Sequence, residues 1–246
     1  RLLGGGRVRA GGEEALVNVR DANTNSGDSQ VNGETIVSGE EESGEHGGDH
    51  PADIHSYTLQ QIYDYAVSVP AEEIAFIQEA YEMNGKLFEE GIHSERTTYA
   101  RYLLEQNGGE IISYDEHKTA SLLCNAAIEA RVIGLDSPAM SITGSGAHGI
   151  IATMPLYGVC RHRNLPDEML WRATAISYLV FMYIKEYSGK LTALCGCRIA
   201  AGTGISCGRV YFNAGGAAEM TRTINNRSLI HLSAPPKQAL LSYVVL

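Results

Sequence analysis

The chain has 246 residues, a formal net charge of −10 at pH 7 and 44% apolar residues. This length predicts one or two domains, and the apolar fraction can bury a sizeable core. An acidic chain without a run of basic residues has no electrostatic attraction for nucleic acid or for an anionic membrane surface. We therefore expect neither class of partner.

The compartment is predicted from the cysteines and from the apolar segments. The five cysteines are irregularly spaced, which argues against a disulfide framework and favours a reducing, cytoplasmic compartment. No signal-type apolar region follows Arg1. The longest apolar stretch, 175–184, has about half the length that a membrane span requires. We expect no secretory signal and no membrane-spanning helix.

The first fifty residues favour a small β-sheet. Residues 14–20 alternate as a strand does, and 21–25 are typical of a turn. Asn32-Gly33 between apolar positions predicts a hairpin. The acidic stretch 38–53 is rich in glycine and histidine, and we interpret it as a solvated loop. Metal capture by His46, Asp49 and His50 is the less favoured alternative, because their spacing is irregular.

Helix signals dominate the rest of the chain. Thr58 begins a capping-box pattern, and Pro70 is followed by the two acidic residues that a helix start favours. Further helices are predicted at 94–106, 116–133 and 167–187, and 191–210 is rich in small residues. The predicted fold class is α+β, mainly α, with a helical bundle beside a small N-terminal sheet. The predicted division is a β-rich segment at 1–53, a helical catalytic-type domain at 54–226 and an atypical tail at 227–246.

A glycine-rich segment contains Gly144, Gly146 and Gly149, which formally spell the dinucleotide fingerprint. No clear strand precedes it, so nicotinamide binding is disfavoured, and the G-x-S-x-G pattern of hydrolases is absent around Ser145. A glycine loop that opens a helix would direct free N–H groups at an anion. Ser145 and His148 could then donate hydrogen bonds, and His148 could move a proton. The alternative is that the glycines serve packing alone.

Three thiols, those of Cys195, Cys197 and Cys207, lie within 13 positions. They lack the paired C-x-x-C spacing of zinc sites. In a helix, Cys195 and Cys197 would point about 200° apart, at about 100° per residue, so they could not hold one ion together. At most one or two of the three are predicted ligands. The alternative is that they are small buried residues at a tight helix contact.

Several motifs, in this order along the chain, resemble those of one enzyme family. The matching segments are V-R-D-A-N-T-N at 19–25, G-S-G-A-H-G-I at 144–150, Y-I-K-E-Y-S-G-K-L at 183–191, C-G-C-R-I-A-A-G-T-G at 195–204 and I-N-N at 224–226. These motifs resemble those of the L-cysteine desulfidases, which are related to the α-chain of iron–sulfur L-serine dehydratase. The resemblance covers roughly residues 14–226.

The resemblance implies a lyase of amino-acid catabolism that converts L-cysteine to pyruvate, hydrogen sulfide and ammonia. The implied chemistry is an α,β-elimination without pyridoxal phosphate. A [4Fe–4S] cluster, held by three cysteine thiolates, would leave one iron open as a Lewis acid. L-serine dehydratase activity is the alternative, with L-serine as the small-molecule partner.

The resemblance also implies roles for particular residues. His148 and Ser145 are the candidate catalytic residues, and Cys197, then Cys195, are the candidate cluster ligands. The candidate substrate-binding residues are Gly144, Ser145, Gly146, His148, Gly149 and Asn226.

This chain departs from the family pattern at specific positions. Ala147 and Asn23 stand where the family has asparagine and histidine. The family's early cysteine has no counterpart, and R-S-L-I-H-L-S-A-P-P-K after Asn226 replaces its I-C-D-G-A-K motif. We therefore expect truncation at both ends, with one of the three implied thiolates retained. The alternative function is an inactive homologue that acts as a binding or association module, and formation of a homo-oligomer is left open.

Overall fold

The computed structural model describes residues 2–10, 13–20, 26–38, 53–188 and 195–233. The predicted turn at 21–25, most of the acidic loop with its histidines, and the last part of the predicted tail lie outside these ranges. The chain divides into two compact units, one that contains the four strands and one that contains the helices. The mainly helical α+β class with a small N-terminal sheet is confirmed.

The sheet is a four-stranded antiparallel meander in the order β1-β2-β3-β4. Its strands are β1 (Leu2–Ala10), β2 (Glu13–Arg20), β3 (Ser26–Val31) and β4 (Glu34–Ser38). The predicted hairpin is confirmed, since Asn32 and Gly33 join β3 to β4 with φ of 52° and 85°. Both values fall in the left-handed region that a two-residue hairpin turn requires, and asparagine and glycine tolerate that region best.

Nine α-helices lie in the described part of the helical unit. They are α1 (Leu59–Ser68), α2 (Ala71–Ile74), α3 (Gln78–His93), α4 (Tyr99–Gln106), α5 (Glu116–Val132), α6 (Gly146–His162), α7 (Asp167–Ser188), α8 (Gly202–Phe212) and α9 (Ala217–Ser233). A π-helical turn, Cys197–Ala201, leads into α8. Across the described ranges, none of these helices has the length and apolarity needed to cross a bilayer.

The capping-box pattern correctly predicted where α1 begins. The Thr58 hydroxyl accepts the Gln61 N–H at 3.2 Å, and the Gln61 side-chain oxygen accepts the Thr58 N–H at 2.9 Å, which completes the capping box. Pro70 precedes α2, whose first turn carries two glutamates as predicted. However, α2 is only four residues long, and a 3-10 turn at Ala75–Ile77 separates it from α3.

The predicted helix at 94–106 begins later, at Tyr99. The reason lies in another helix. The carboxylate of Glu129, on α5, accepts the backbone N–H groups of Thr98, Tyr99 and Ala100 at 2.6 to 3.1 Å. These are N–H groups that a helix start leaves without an internal acceptor. A cap supplied across 30 residues of sequence cannot be seen in the local pattern.

The core of the helical unit contains large aliphatic and aromatic side chains from α3 and α5 to α9. Those that are almost completely buried are Phe181, Leu87, Leu122, Leu123, Ile150, Met154, Leu156, Leu170, Ile176 and Met220. Glycines bring α8 very close to α7: a Cβ built on Gly204 would lie 2.4 Å from the Ser177 carbonyl oxygen. The same construction on Gly208 would meet the Ala173 carbonyl oxygen at 2.8 Å. The small residues of 191–210 therefore permit direct backbone contact.

Candidate functional site

A tight turn leads the chain into α6. Ile142 and Ser145 form an isolated antiparallel bridge across Thr143 and Gly144, whose φ values are 49° and 78°. Glycine adopts this left-handed region freely, but a β-branched threonine does so only under strain. Backbone strain of this kind is concentrated at functional sites. The turn sets the direction in which α6 begins.

The first turn of α6 presents backbone donors without a side-chain cap. Ser145 is the N-cap, in an extended conformation, and its hydroxyl makes no capping hydrogen bond. The N–H of Gly149 is bonded to the Ser145 carbonyl at 3.2 Å. The N–H groups of Gly146, Ala147 and His148 precede that bond, so the helix offers them no acceptor. Such a helix start carries partial positive charge and attracts an anion.

Gly149 has a packing role. A Cβ built on it would lie 1.9 Å from the carbonyl oxygen of Met140, a distance that no real contact reaches. Glycine is therefore required for the first turn of α6 to lie against the Met140 backbone. The packing interpretation thus applies to Gly149, while the anion interpretation concerns the residues just before it.

Arg131 places a permanent positive charge beside this turn. It lies in the last turn of α5, and a Cβ built on Gly146 would be 2.8 Å from its Nε atom. Sequence reasoning missed Arg131, because nothing in its local pattern shows that α5 and α6 lie side by side. The sequence did indicate two helices joined by a glycine-rich loop. It did not indicate which residue of α5 would face Gly146.

The His148 ring is partly buried beside α7 and the cysteine segment. It lies on Phe181, with ring centroids 5.1 Å apart. A Cβ built on Gly196 would lie 2.8 Å from His148 Nε2 and 3.6 Å from Lys185 Nζ. Lys185 is itself buried. Nδ1 of His148 is buried and has no hydrogen-bond partner among the described residues.

This environment holds the pKa of His148 below its ordinary value. Burial is the largest cause, since it disfavours the charged imidazolium, and the positive charges of Lys185 and Arg131 act in the same direction. The imidazole is therefore neutral at pH 7 and able to accept a proton. Lys185 also escaped sequence reasoning as a site residue, although it lies within one of the matching motifs.

The helical premise behind the expectation that Cys195 and Cys197 point apart does not hold. The two thiols are near enough for Cys195 to affect the pKa of Cys197. Cys195 precedes the helical segment, and Cys197 begins a π-helical turn, so the rotation of 100° per residue does not relate them. Burial first, and then the neighbouring Cys195, raise the pKa of the Cys197 thiol to about 11. The Cys197 thiol is therefore mainly protonated at pH 7.

The described residues do not fit a complete iron–sulfur site. Cys195 and Cys197 provide two neighbouring sulfur donors. Cys124, on α5, is completely buried. Burial first, and then the nearby Cys197, raise the pKa of the Cys124 thiol to about 12. Within the ranges described, no group of three or more Cys, His, Asp or Glu side chains is arranged to hold a metal ion. Three thiolates around one cluster are thus not found there.

The predicted residues lie in three places. The turn and first helical turn that contain Gly144, Ser145, Gly146 and His148 lie together, and His148 lies against the Cys195–Cys197 segment through Gly196. Asn226 is exposed on α9, and α9 packs on α8 and α1. Its proposed contact with substrate therefore stays a prediction. Cys207 is buried in the core, apart from the exposed Cys195.

Comparison with known proteins identifies relatives of this chain. The family model for the serine dehydratase alpha chain matches residues 21–232. A "UPF0597 protein" of Clostridium botulinum (strain Langeland) is 44% identical over 169 residues, which cover 68% of this chain and 38% of that protein. A "UPF0597 protein" of Caldanaerobacter subterraneus is 34% identical over 212 residues, which cover 86% of this chain and 49% of that protein. A third, from Methanocella arvoryzae, is 35% identical over 173 residues, or 70% and 41% of the two chains.

The chain spans less than half of the length of these relatives. No solved structure matches it. The family match covers both the glycine loop before α6 and the cysteine segment before α8. The chain therefore belongs to the serine dehydratase alpha chain family.

Proposed function

We propose that this chain forms the substrate-binding part of an α,β-eliminating lyase that converts L-cysteine to pyruvate, hydrogen sulfide and ammonia. One observation carries the proposal: a neutral His148 imidazole lies at an uncapped helix start, with Arg131 and Lys185 as its cationic neighbours. The helix start and the two cations suit the binding of an amino-acid carboxylate, and His148 places a proton acceptor in the same small region. L-serine, with a hydroxyl in place of the thiol, is the alternative substrate.

Carboxylate binding is the first role in this proposal. The N–H groups of Gly146, Ala147 and His148 donate to the carboxylate, and the Ser145 hydroxyl adds a side-chain donor. Arg131 complements the negative charge from the side of α5. Charge-assisted hydrogen bonds of this type are about twice as strong as neutral ones.

Proton transfer is the second role. His148 takes the α-proton of the bound amino acid, and the electron pair of that C–H bond forms the α,β double bond. The C–S bond breaks, so that sulfide leaves. The aminoacrylate that remains hydrolyses to pyruvate and ammonia. Burial, and then the nearby cations, keep His148 unprotonated before the step, which is the state that a base requires.

The test is pyruvate and sulfide formation from L-cysteine by the 246-residue protein, purified anaerobically and reconstituted with iron and sulfide. We expect His148→Ala to lower turnover by about 10²-fold or more, in the usual range for loss of an acid–base group. His93→Ala, which removes an exposed histidine from the end of α3, is the matched control and should leave turnover unchanged. Equal turnover in the two variants would remove His148 from the mechanism.

The alternative function is that of a catalytically inactive binding or association module. The two-donor cysteine arrangement of the described residues favours it. The same experiment separates the two functions, because an inactive module yields no pyruvate under any reconstitution while still binding an amino acid. Free cysteines throughout the described part fit the reducing cytoplasm in which we propose that the protein acts.

A further inference from the structure

We propose that Asn84, on α3, is a positioning residue that fixes the anion-binding turn at the start of α6. This inference rests on the proposed function, because the turn matters only if it binds the substrate carboxylate. Asn84 belongs to none of the motifs considered above, and it lies at 0% exposure in the middle of a helix. A buried asparagine must find partners for both ends of its amide.

The two ends of the Asn84 amide contact two different segments. Oδ1 accepts the backbone N–H of Met140 at 3.0 Å. Nδ2 donates to the Thr153 hydroxyl, on α6, at 3.1 Å. The Met140 contact fixes which end is oxygen, because a backbone N–H requires an acceptor. Asn84 thus joins the loop before the turn to the body of α6.

These two segments also contact each other directly at the site. The Thr153 hydroxyl donates to the Gly149 carbonyl at 2.8 Å. Gly149 lies so close to the Met140 carbonyl that a Cβ would stand 1.9 Å from it. Asn84 therefore holds both sides of the contact that determines where the first turn of α6 lies relative to the incoming loop. A shift of either side would move the donors on Gly146, Ala147 and His148.

A second α3 residue anchors the far end of the same loop. The Glu90 carboxylate accepts the N–H groups of Asp136 at 3.0 Å and of Ser137 at 2.8 Å. Glu90 contacts the loop where it leaves α5, whereas Asn84 contacts it only a few residues before Ser145. Asn84 is thus the anchor whose loss acts directly on the binding turn.

The experiment uses the 246-residue chain and two readouts: amide NMR signals of Gly146, Ala147 and His148, and the affinity for L-alanine. L-Alanine has the carboxylate and the amine but no leaving group, so it reports binding alone. We expect Asn84→Ala to shift these three amide signals in the free protein and to weaken L-alanine binding by roughly tenfold, the cost of about one misplaced hydrogen bond.

Asn107→Ala is the matched control. Asn107 is also a buried asparagine that holds a loop, since it bonds to the Glu110 and Ile111 carbonyls and to the Ser113 hydroxyl. That loop lies at the opposite end of α6, where His162 contacts the Ser113 carbonyl. Asn107→Ala should leave the three amide signals and the L-alanine affinity unchanged. Equal effects of the two substitutions would show general destabilisation and overturn the proposal.

A second variant keeps the proposal testable if Asn84→Ala does not fold. Thr153→Val retains the shape of the side chain and the Met140 contact but removes the link from Asn84 to Gly149, and it should shift the same amides. Unchanged amides in whichever variant folds would overturn the positioning role. Absence of L-alanine binding by the wild-type protein would contradict the proposed function, while the amide shifts of the free protein would still decide the role of Asn84.

Discussion

The His148 imidazole is surrounded by features that oppose its protonation. Burial costs the imidazolium its hydration, and Lys185 and Arg131 add like charges. Because the folded pKa is lower than the unfolded value of about 6.5, the unfolded chain binds the extra proton more readily. This group therefore reduces the stability of the fold as the pH falls below about 6.5, and it costs nothing well above that pH.

We predict that Lys185→Met raises the pKa of His148 towards its ordinary value without reaching it, because burial, the largest cause, remains. The measurement is a titration of the imidazole nitrogens by NMR. Lys86→Met, which removes an exposed lysine from α3, is the control and should leave the His148 titration in place. A His148 pKa that is the same in all three proteins would show that Lys185 does not act on the ring.

Helix α4 shows that an element can owe its start to a distant side chain. Burial alone would raise the pKa of Glu129, but the N–H donors of Thr98, Ala100 and Tyr99 together outweigh it, so the pKa is lowered. A lowered carboxyl pKa stabilises the fold above the unfolded value, about 4.3, and this stabilisation is lost as the pH falls through the folded pKa.

We predict that Glu129→Ala lowers the free energy of unfolding by about 1–2 kcal/mol at pH 7, the usual cost of a lost helix cap with charged character. Urea unfolding measures this difference, which should shrink at a pH below the folded pKa of Glu129. Glu105→Ala, at an exposed position on α4, should change stability by less than about 0.5 kcal/mol. A cost at Glu129 that is the same at pH 7 and in strong acid would contradict an ionised cap.

The elements predicted correctly are those whose signals lie within a few residues. Thr58 and Gln61 form their capping box within one helical turn, and Asn32-Gly33 needs only its own backbone preferences. The start of α4 was predicted five residues early, because its cap comes from Glu129. Likewise, the turn that joins Cys195 to Cys197 depends on where the helix begins, which the spacing of the cysteines did not reveal.

At the scale of the whole molecule, the candidate site likewise contains residues that a short segment indicates and residues that only the folded bundle brings together. His148 and the glycines could be found from sequence because they lie in one short segment. Arg131 and Lys185 could not, since α5 and α7 bring them to His148 only when the bundle forms. Asn84 was missed for the same reason: its partners, Met140 and Thr153, are 56 and 69 residues away.

A shared carboxylate links three helices of the bundle. Glu116, at the start of α5, contacts Arg163 after α6 and Arg209 on α8, each at 2.5 Å. Its side chain is 14% exposed, so the charges are only partly screened by water. Burial would raise its pKa, but the hydrogen bond from Arg163 and the charge of Arg209 outweigh this and lower it.

We predict that Glu116→Ala lowers the free energy of unfolding by about 2–3 kcal/mol, because two partly buried guanidinium groups lose their counter-charge. The comparison is Glu168→Ala, which breaks an ion pair with Arg172 at a side chain that is 54% exposed. That loss should stay below about 1 kcal/mol, because the Glu168 carboxylate is largely exposed to water. Urea unfolding of both variants at pH 7 measures the ratio, and equal losses would refute a special role for Glu116.

The close packing of α7 against α8 affects how fast the backbone amides there exchange with solvent. Where Gly204 and Gly208 lie on the carbonyls of Ser177 and Ala173, the two helix backbones approach too closely for any side chain to stand between them. The helical amides at this contact exchange with deuterium only when their hydrogen bonds open, and we expect such opening to require separation of the core that both helices share. In heavy water, we therefore expect these amides to lose their original protons slowly, at a rate that reports opening of the whole bundle.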